Sequence, residues 1–323
     1  STATHGTGKD LPCLAAELTA FRLVTADGEV LTCSPHENSE IFYAGRVNLG
    51  LFGVLSEVTL SVAKAYALKE ESFTLSADDV LRQLPKLRDE NRHFEFFWFP
   101  HSDKVAAKRL NMSPETPPPA LTAEQMKARG DAMTADQRAF QAGCEIARYV
   151  PSVLPSLHRA FTGGASGKPK TRWSHEIFPS PRNVRFNEME YAVPAEKGVE
   201  CLTTLISLFK RRGINSAFPF EFRFVRADDI WLSPFYQRDC VTISVHQYYK
   251  QSESRFFSLC EGVFRDYDAR PHWGKMHAAG PDRLSRIYPK YDAFRDLRRR
   301  LDPKGKFLTP YLAQLMGEAT DGA

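Results

Sequence analysis

The sequence predicts an α+β protein built on a large, mostly antiparallel sheet with flanking helices. Segments rich in aromatic and β-branched residues predict strands at 183–194, 218–227 and 240–249. Helices are predicted between and after them, near 195–212 and 252–267. Strands that alternate with helices, each with one apolar and one polar row of side chains, predict a sheet covered by helices on one side.

The first 65 residues predict a small α+β unit. In "ELTAFRLVTADGEVLTCS", two strand-like runs flank Asp27 and Gly28, as in a tight β-hairpin. A short helix, a glycine-containing turn and a strand over Val54–Val62 follow. Further along, Ser76 caps a predicted helix and "HFEFFWFP" predicts a strand, whereas the proline-rich stretch 112–140 predicts an exposed, mobile excursion.

Composition and charge argue against several classes of function. The chain has 323 residues, a net charge of +4 and 42% hydrophobic residues, which is typical of globular proteins. It contains neither an apolar run of ~20 residues nor a signal-peptide pattern, so we expect a cytoplasmic protein without a membrane segment. The basic run 295–306 has leucines at helical spacing and predicts a solvated helix face, so no nucleic-acid partner is expected.

The cysteines predict neither disulfides nor a metal site. They are scattered, without a C-x-x-C pair and without a histidine at the spacing of a zinc site. The simplest account is a set of reduced thiols in a cytosolic protein. The six are Cys13, Cys33, Cys144, Cys201, Cys240 and Cys260.

Side-chain alternation along the predicted strands separates an apolar row from a polar row. In "PFEFRFV", Phe220, Phe222 and Phe224 share the face that must be the core. Glu221 and Arg223 share the opposite face. In the neighbouring strands the apolar rows are Val241, Ile243, Val245, Met189 and Tyr191, and the polar rows are Thr242, Ser244, His246, Tyr248, Glu188 and Glu190.

These polar rows allow two interpretations. In most antiparallel sheets such rows face water. Alternatively they roof a pocket, where an acid, a guanidinium and a nearby histidine bind a polyhydroxylated molecule. The stretch "DARPHWGKMH" also has two interpretations: a packed Trp273 with an exposed Lys275, or a lysine held so that it stabilises negative charge on a ligand or cofactor. The pattern alone does not decide between them.

Several stretches together resemble one family. In chain order they are "ATHGTG", "LGLFGVLSEVTL", "EFFWFPH", "EMEYAVP", "FPFEFRFVRADDIWLSP", "HWGKMH" and "LDPKGKFLTPYL". They resemble the aldonolactone oxidoreductases, FAD-linked flavoproteins of the vanillyl-alcohol-oxidase (VAO/PCMH) type that include L-gulonolactone, L-galactonolactone and D-arabinono-1,4-lactone oxidases, with alditol oxidase as a close relative. The resemblance runs from Ser1 to about Leu312, and its most specific part is HWGK after an E-x-R strand.

The resemblance implies a division of the chain. Residues 1–65 are expected to form the second half of a VAO/PCMH-type FAD-binding domain, 66–300 a substrate-binding cap domain, and 301–323 a segment that returns to the FAD domain. In this family a first FAD-binding lobe lies upstream of "STATHGTG". That lobe is therefore expected as a partner, from the same or a separate polypeptide.

The resemblance also implies the residues of a site. The predicted cofactor-binding residues are Thr2, Thr4, His5, Gly6, Gly8, Gly53, Val54 and Lys275. Of the predicted catalytic residues, Lys275 and Arg223 stabilise negative charge near flavin N1. Glu221 anchors a substrate hydroxyl or holds Arg223, and it shares proton removal with His246 as the alternative base. No metal is expected.

The implied activity is FAD-dependent oxidation of a secondary hydroxyl of a sugar 1,4-lactone, with hydride transfer to flavin N5. The expected lactone is of the L-gulono, L-galactono or D-arabinono type, and oxygen or another acceptor reoxidises the flavin. Alternatives are an alditol oxidase acting on a polyol and a lactone dehydrogenase that uses a cytochrome or dye. A flavin-free carbohydrate-binding remnant is the alternative that is not an enzyme.

Overall fold

A computed structural model of the chain describes residues 2–163 and 167–319, within which two sheets form. The strands are β1 (Leu18–Val24), β2 (Val30–Cys33), β3 (Val54–Leu60), β4 (Ala67–Ser76), β5 (His93–Trp98), β6 (Lys104–Met112), β7 (Lys170–Trp173), β8 (Phe186–Pro194), β9 (Phe220–Val225), β10 (Cys240–Tyr248) and β11 (Arg270–Pro271). The helices are α1 (Ser39–Gly45), α2 (Ala77–Asp89), α3 (Ala123–Asp131), α4 (Ala135–Tyr149), α5 (Leu154–Gly163), α6 (Ser174–Ile177), α7 (Gly198–Arg212), α8 (Ser254–Asp266), α9 (Pro281–Ile287), α10 (Tyr291–Leu301) and α11 (Pro310–Met316).

The larger sheet has eight strands in the order β11-β8-β10-β9-β5-β6-β4-β7, and its neighbouring strands pair antiparallel. The predicted antiparallel sheet with flanking helices is therefore confirmed. The predicted strands and helices of residues 183–267 are present as β8, α7, β9, β10 and α8. Ser76 caps α2 as expected, because its side chain accepts the backbone N–H of Asp79.

Sequence reasoning missed β4, β6 and β7, which complete one side of the large sheet. β4 and β6 carry few large apolar side chains, and part of their pairing is ionic instead. Arg109 of β6 donates to Glu71 of β4 at 2.8 Å, and Lys108 of β6 lies 2.8 Å from Glu95 of β5. Charged residues interrupt the alternation of apolar and polar side chains along these strands, which made the strands harder to detect in the sequence.

One face of the large sheet is the main core, as the phenylalanine row predicted. Phe220, Phe222 and Phe224 are buried there among apolar side chains of α2, α7 and α8. The rings of Phe222 and Phe96 stack with centroids 4.8 Å apart, which locks β9 against β5. The charged side chains of the same strands consequently point to the opposite face.

The smaller sheet has the order β2-β1-β3 and shares a second core with α1 and the C-terminal helices. Its hairpin is the one predicted around Asp27 and Gly28. Phe52 stacks on Phe294 of α10 with centroids 4.6 Å apart. Gly53 has φ +139°, and a Cβ there would lie 2.2 Å from the carbonyl oxygen of Val24, so only glycine fits.

The proline-rich stretch is largely exposed, and α3 within it buries no side chain. Both helices that follow the prolines begin with capping boxes, at Thr122 and Thr134. Gln137 donates to the carbonyl oxygen of Pro181 at 2.8 Å, and Arg129 donates to that of Glu176 at 2.8 Å. The excursion is thus tethered to α6 and to the loop that precedes β8.

In the part of the chain that the structure describes, no helix is both long enough and apolar enough to cross a membrane. All six cysteines are free and buried. Burial raises the pKa of the Cys33 and Cys240 thiols to about 11, so both remain protonated and weakly reactive at neutral pH.

A buried histidine makes the fold sensitive to acid. Burial lowers the pKa of His158 in α5 to about 3, against an ordinary value of 6.5. Between these pH values the unfolded chain binds the proton and the folded chain does not, so stability falls as pH falls. We expect His158→Gln to flatten the pH dependence of the unfolding free energy by about 1.4 kcal/mol per pH unit between pH 6 and pH 4.

Urea unfolding at several pH values measures this slope. Gln keeps an acceptor for the backbone N–H of His101, which His158 Nδ1 accepts at 3.2 Å. His36→Gln, at an exposed position, is the matched control and should leave the slope unchanged. Equal slopes for wild type and His158→Gln would refute the explanation.

Candidate active site

The polar rows of the large sheet are covered and do not face water. Glu190, Ser244, Glu221 and His246 are each at most 5% exposed. Two segments contribute to the cover: the N-terminal segment (residues 2–8), and the loop that carries HWGK (residues 268–279, the HWGK loop). Of the two interpretations that the sequence left open, the structure therefore favours a roofed pocket.

Glu221 and Arg223 are hydrogen-bonded to each other on this face. Arg223 Nε also donates to Glu95 Oε2 at 3.0 Å, and Arg182 Nη2 approaches Glu221 Oε1 at 3.4 Å. Burial on its own would lower the pKa of Arg223, but Glu221, Glu95 and Glu190 raise it above its ordinary value. Arg223 is thus a permanent cation held by three acids.

Three charged residues of this network, Glu95, Lys108 and Arg182, were not predicted. Burial acts to raise the pKa of Glu95, but Lys108 and Arg223 outweigh it and hold the pKa at about 2. A signal was present in "HFEFFW", where Glu95 is the one acid in an apolar strand. Its significance depends on the pairing of β5 with β9 and β6, which the sequence pattern did not indicate.

Glu188 connects the remaining predicted catalytic residues. Its carboxylate is ion-paired with Lys275 of the HWGK loop, and its Oε1 lies 3.5 Å from His246 Nε2. Polar atoms of Glu188, Glu221 and His246 all lie within 4.8 Å of one another. Burial acts to raise the pKa of Glu188, but His246 and Lys275 hold it at about 2, so the carboxylate is ionised.

The ring of His246 has a defined orientation. Its Nδ1 lies 3.2 Å from the carbonyl oxygen of Pro219, and Phe186 packs edge-on against it at 4.9 Å. Because a carbonyl oxygen can only accept, Nδ1 carries a proton. Nε2 is left facing Glu188, on the same side as Glu221.

The N-terminal segment and the HWGK loop meet beside Glu190. His5 Nε2 lies 2.9 Å from Glu190 Oε1, and the rings of His5 and His272 are 5.8 Å apart. A Cβ added to Gly274 would lie 3.6 Å from Thr2 Oγ1. Two stretches that the sequence assigned to the cofactor are therefore neighbours in space.

Other residues predicted to bind the cofactor lie elsewhere. Gly8 donates its N–H to the carbonyl oxygen of Phe224 at 2.8 Å and belongs to the edge of β9. Gly6 packs against Phe178, whereas Thr4 is exposed. Gly53 and Val54 belong to the small sheet, where Val54 is 56% exposed. The cofactor roles of these residues remain predictions.

The packing of Trp273 combines features of both interpretations of the HWGK loop. The indole is buried, stacks near Tyr288 and donates from Nε1 to the carbonyl oxygen of Leu232 at 2.6 Å. Lys275, two residues later, is 31% exposed and reaches Glu188 on the polar face. The tryptophan is thus an anchor for the loop, and the anchor places the lysine at the site.

Comparison with known proteins identifies the family. Residues 58–315 match the family described as D-arabinono-1,4-lactone oxidase. The chain is also 38% identical over 322 residues to L-gulono-1,4-lactone dehydrogenase of Mycobacterium tuberculosis, which covers 98% of this chain and 72% of that protein. The chain belongs to the D-arabinono-1,4-lactone oxidase family. It is therefore an oxidoreductase that acts on CH–OH groups, and the expected cofactor, FAD, is confirmed at the level of the family.

Solved structures show the same fold. Cholesterol oxidase of B. sterolicum superposes with a TM-score of 0.74 over 98% of this chain and 72% of that chain, at 16% identity. A VAO-type flavoprotein of Myceliophthora thermophila superposes with a TM-score of 0.60 over 94% of this chain and 58% of that chain, at 14% identity. These likenesses confirm the VAO-type fold class that the sequence predicted.

The residues of the covered face fit a flavin. The hydroxyl of Thr242 is buried next to Arg223 in the register of β10 and β9, and it has no hydrogen-bond partner among the described residues. Lys275 and Arg223 supply fixed positive charge. A flavin ring presents carbonyl and ring-nitrogen acceptors and gains negative charge when reduced, so an unpaired donor and fixed cations suit it.

Removing the guanidinium at the centre of the network should destabilise the fold. Arg223→Gln leaves Glu221 and Glu95 buried without their shared cation, so we expect a loss of about 3–5 kcal/mol in the free energy of unfolding. Urea unfolding measures this free energy. Arg226→Gln, three residues along and exposed, is the control and should change stability by less than about 0.5 kcal/mol. Equal stabilities of the two variants would contradict a structural role for the network.

Proposed function

We propose that this protein oxidises a secondary hydroxyl of a sugar 1,4-lactone of the L-gulono, L-galactono or D-arabinono type, with FAD as the hydride acceptor. The observation that carries the proposal is the convergence of Arg223 and Glu221 with His246 and Lys275 around Glu188 on one covered sheet face. The name of the mycobacterial relative, L-gulono-1,4-lactone dehydrogenase, supports the choice of substrate class.

The side chains of the face suit a ligand with many hydroxyl groups. Glu188 and Glu221 are acceptors that can each receive a substrate O–H. Arg182, which is half exposed, and Lys275 can donate to the ring and carbonyl oxygens of a lactone. A planar guanidinium and two carboxylates at fixed positions discriminate between stereoisomers through the directions of their hydrogen bonds.

His246 is placed to take the proton of the reacting hydroxyl. The carbonyl oxygen of Pro219 fixes the proton on Nδ1, so Nε2 is the atom available as a base. The ionised carboxylates of Glu188 and Glu221 would stabilise the imidazolium that forms. Glu188 itself, with a pKa of about 2, is a weak base at neutral pH and acts through His246 and Lys275.

FAD, when bound, supplies a two-electron acceptor at N5 for the hydride that leaves the carbinol carbon. Lys275 would hold the negative charge that appears on the reduced ring, and Arg223 would support it from the sheet. Thr2 and His5 of the N-terminal segment would contact the cofactor beside the HWGK loop.

Loss of the lysine charge should abolish the chemistry and spare the fold. Lys275→Met keeps the length of the side chain and removes its ammonium group. We expect the rate of anaerobic flavin reduction by L-gulono-1,4-lactone to fall at least about 100-fold, because one preorganised charge contributes that much to a transition state. Stopped-flow bleaching of the flavin absorbance measures the rate.

Lys64→Met, at an exposed position, is the matched control, and the lactone should reduce its flavin at the wild-type rate. Both variants should melt within a few degrees of wild type, since Lys275 is partly solvated and Glu188 keeps His246 as a second partner. If the flavin absorbance of Lys275→Met is lost at the wild-type rate, this lysine has no role in the mechanism.

The family description and the name of the mycobacterial relative imply different electron acceptors. The family description names an oxidase, and the mycobacterial relative is named a dehydrogenase. Identity of 38% along nearly the whole chain supports dehydrogenase behaviour, so we expect lactone-dependent dye reduction to exceed oxygen uptake at least about tenfold. An oxygen electrode and a dye assay on one preparation measure both rates. Equal rates would instead indicate an oxidase.

A further inference from the structure

Glu190 of β8 lies where four segments of the site meet, and the proposed mechanism gives it no role. Its Oε1 lies 2.9 Å from His5 Nε2 in the N-terminal segment, and its Oε2 accepts the hydroxyl of Ser244 in β10 at 2.6 Å. Its backbone carbonyl oxygen accepts the N–H of His272 in the HWGK loop at 3.0 Å. Only 2% of the residue is exposed.

The contacts of Glu190 keep its side chain ionised and bonded to His5. Burial acts to raise the pKa of Glu190, but His5 outweighs it and the pKa lies well below its ordinary value, so Glu190 is a carboxylate. The second ring nitrogen of His5, Nδ1, lies 2.8 Å from the carbonyl oxygen of Gly6. Nε2 faces the Glu190 carboxylate, which can only accept, so this nitrogen donates the hydrogen bond.

Neighbouring groups leave the His5 ring little freedom. Phe235 packs edge-on against it, with centroids 5.1 Å apart and planes at 80°. The ring of His272 lies on another side at 5.8 Å, and Ser244 holds the far oxygen of the carboxylate. Arg223 adds positive charge beyond Glu190. Any rotation of the ring therefore breaks a hydrogen bond that water does not reach.

The rest of the N-terminal segment is anchored independently. Thr7 donates its hydroxyl to the carbonyl oxygen of Phe94 at 2.6 Å, and Gly8 donates its N–H to that of Phe224 at 2.8 Å. These bonds attach the end of the segment to the large sheet. Within residues 3–6, the carbonyl oxygen of Thr4 accepts the N–H of Leu14 at 2.8 Å and Ala3 is buried in the second core, whereas the His5 side chain supplies the bond to β8.

We propose that Glu190 is a positioning residue that clamps His5, and with it the N-terminal segment, onto β8, β10 and the HWGK loop. The inference rests on the proposed function in one respect, namely that this segment contacts FAD. In this role the carboxylate of Glu190 acts through His5 and Ser244, which it holds by hydrogen bonds. Its carboxylate sets the distance between the cofactor-binding segment and the strands that bind the substrate.

Glu190→Gln tests the clamp with the smallest change in shape. The amide oxygen can still accept from His5 and the amide N–H can donate to Ser244, so only the charge is lost. Glu190→Ala removes the contact as well. Glu29→Gln, exposed in the β1–β2 hairpin, is the matched control. The intact protein is used throughout, first without added FAD and then titrated with it.

Hydrogen exchange of the protein without added FAD is the first measurement. We expect the amides of residues 3–6 to exchange faster in Glu190→Gln, and faster still in Glu190→Ala, with Thr7 and Gly8 unchanged. His5→Gln should give the same pattern, and the double variant with Glu190→Gln should add nothing to either single change. Unchanged exchange at residues 3–6 in both Glu190 variants would overturn the proposal.

FAD affinity, followed by the quenching of flavin fluorescence, is the second measurement. We expect the dissociation constant to rise about tenfold in Glu190→Gln, which is the loss typical of one hydrogen bond between charged groups. Faster exchange with unchanged FAD affinity would support the clamp and overturn the assignment of this segment to the cofactor. Weaker FAD binding without faster exchange would overturn the clamp.

Discussion

The site depends on one guanidinium that is buried among acids. Arg223 bonds to Glu221 and Glu95 and lies in the field of Glu190. Burial acts to raise the pKa of Glu95, Glu188 and Glu190 on this sheet face, and a protonated acid would lose its ionic partner. Because cations from other strands and loops hold these acids ionised, the face is covered by protein and still keeps its charges. Without that balance, the same strands would have to face water.

The aromatic core fixes the position of those charges. Side chains alternate along a strand, so each strand that carries a charged residue on one face carries a phenylalanine or another apolar residue on the other. A one-residue slip of β9 would bury Glu221 and Arg223 in the core and expose Phe222. The stacking of Phe222 on Phe96 and the helices behind them oppose such a slip. Packing on one side of the sheet therefore supplies the geometric precision on the other.

The sequence was sufficient where the signal is local. Alternation placed Glu221 opposite the phenylalanines, and the Asp27 turn and the Ser76 cap located a hairpin and a helix. It was insufficient where partners come from strands that are distant in sequence. Glu95 and Lys108 belong to the site only because β5 lies between β9 and β6, and a strand order of that kind is a long-range property. Most of the individual site roles therefore came from family resemblance.

The charge balance of the covered face bears on which form of a sugar it accepts. Glu95, Glu188, Glu190 and Glu221 face Lys108, Arg182, Arg223, Lys275 and the His5 ring, and nearly every charge already has a partner. A neutral lactone adds hydroxyl groups that bond to these ions without changing the balance. An open-chain aldonate would add a carboxylate beside Glu188 and Glu221, whose own negative charges would repel it. Repulsion in a site of low dielectric would then oppose its binding. If the substrate is the sugar lactone proposed above, the network that keeps the acids ionised would thus also favour its closed, uncharged form.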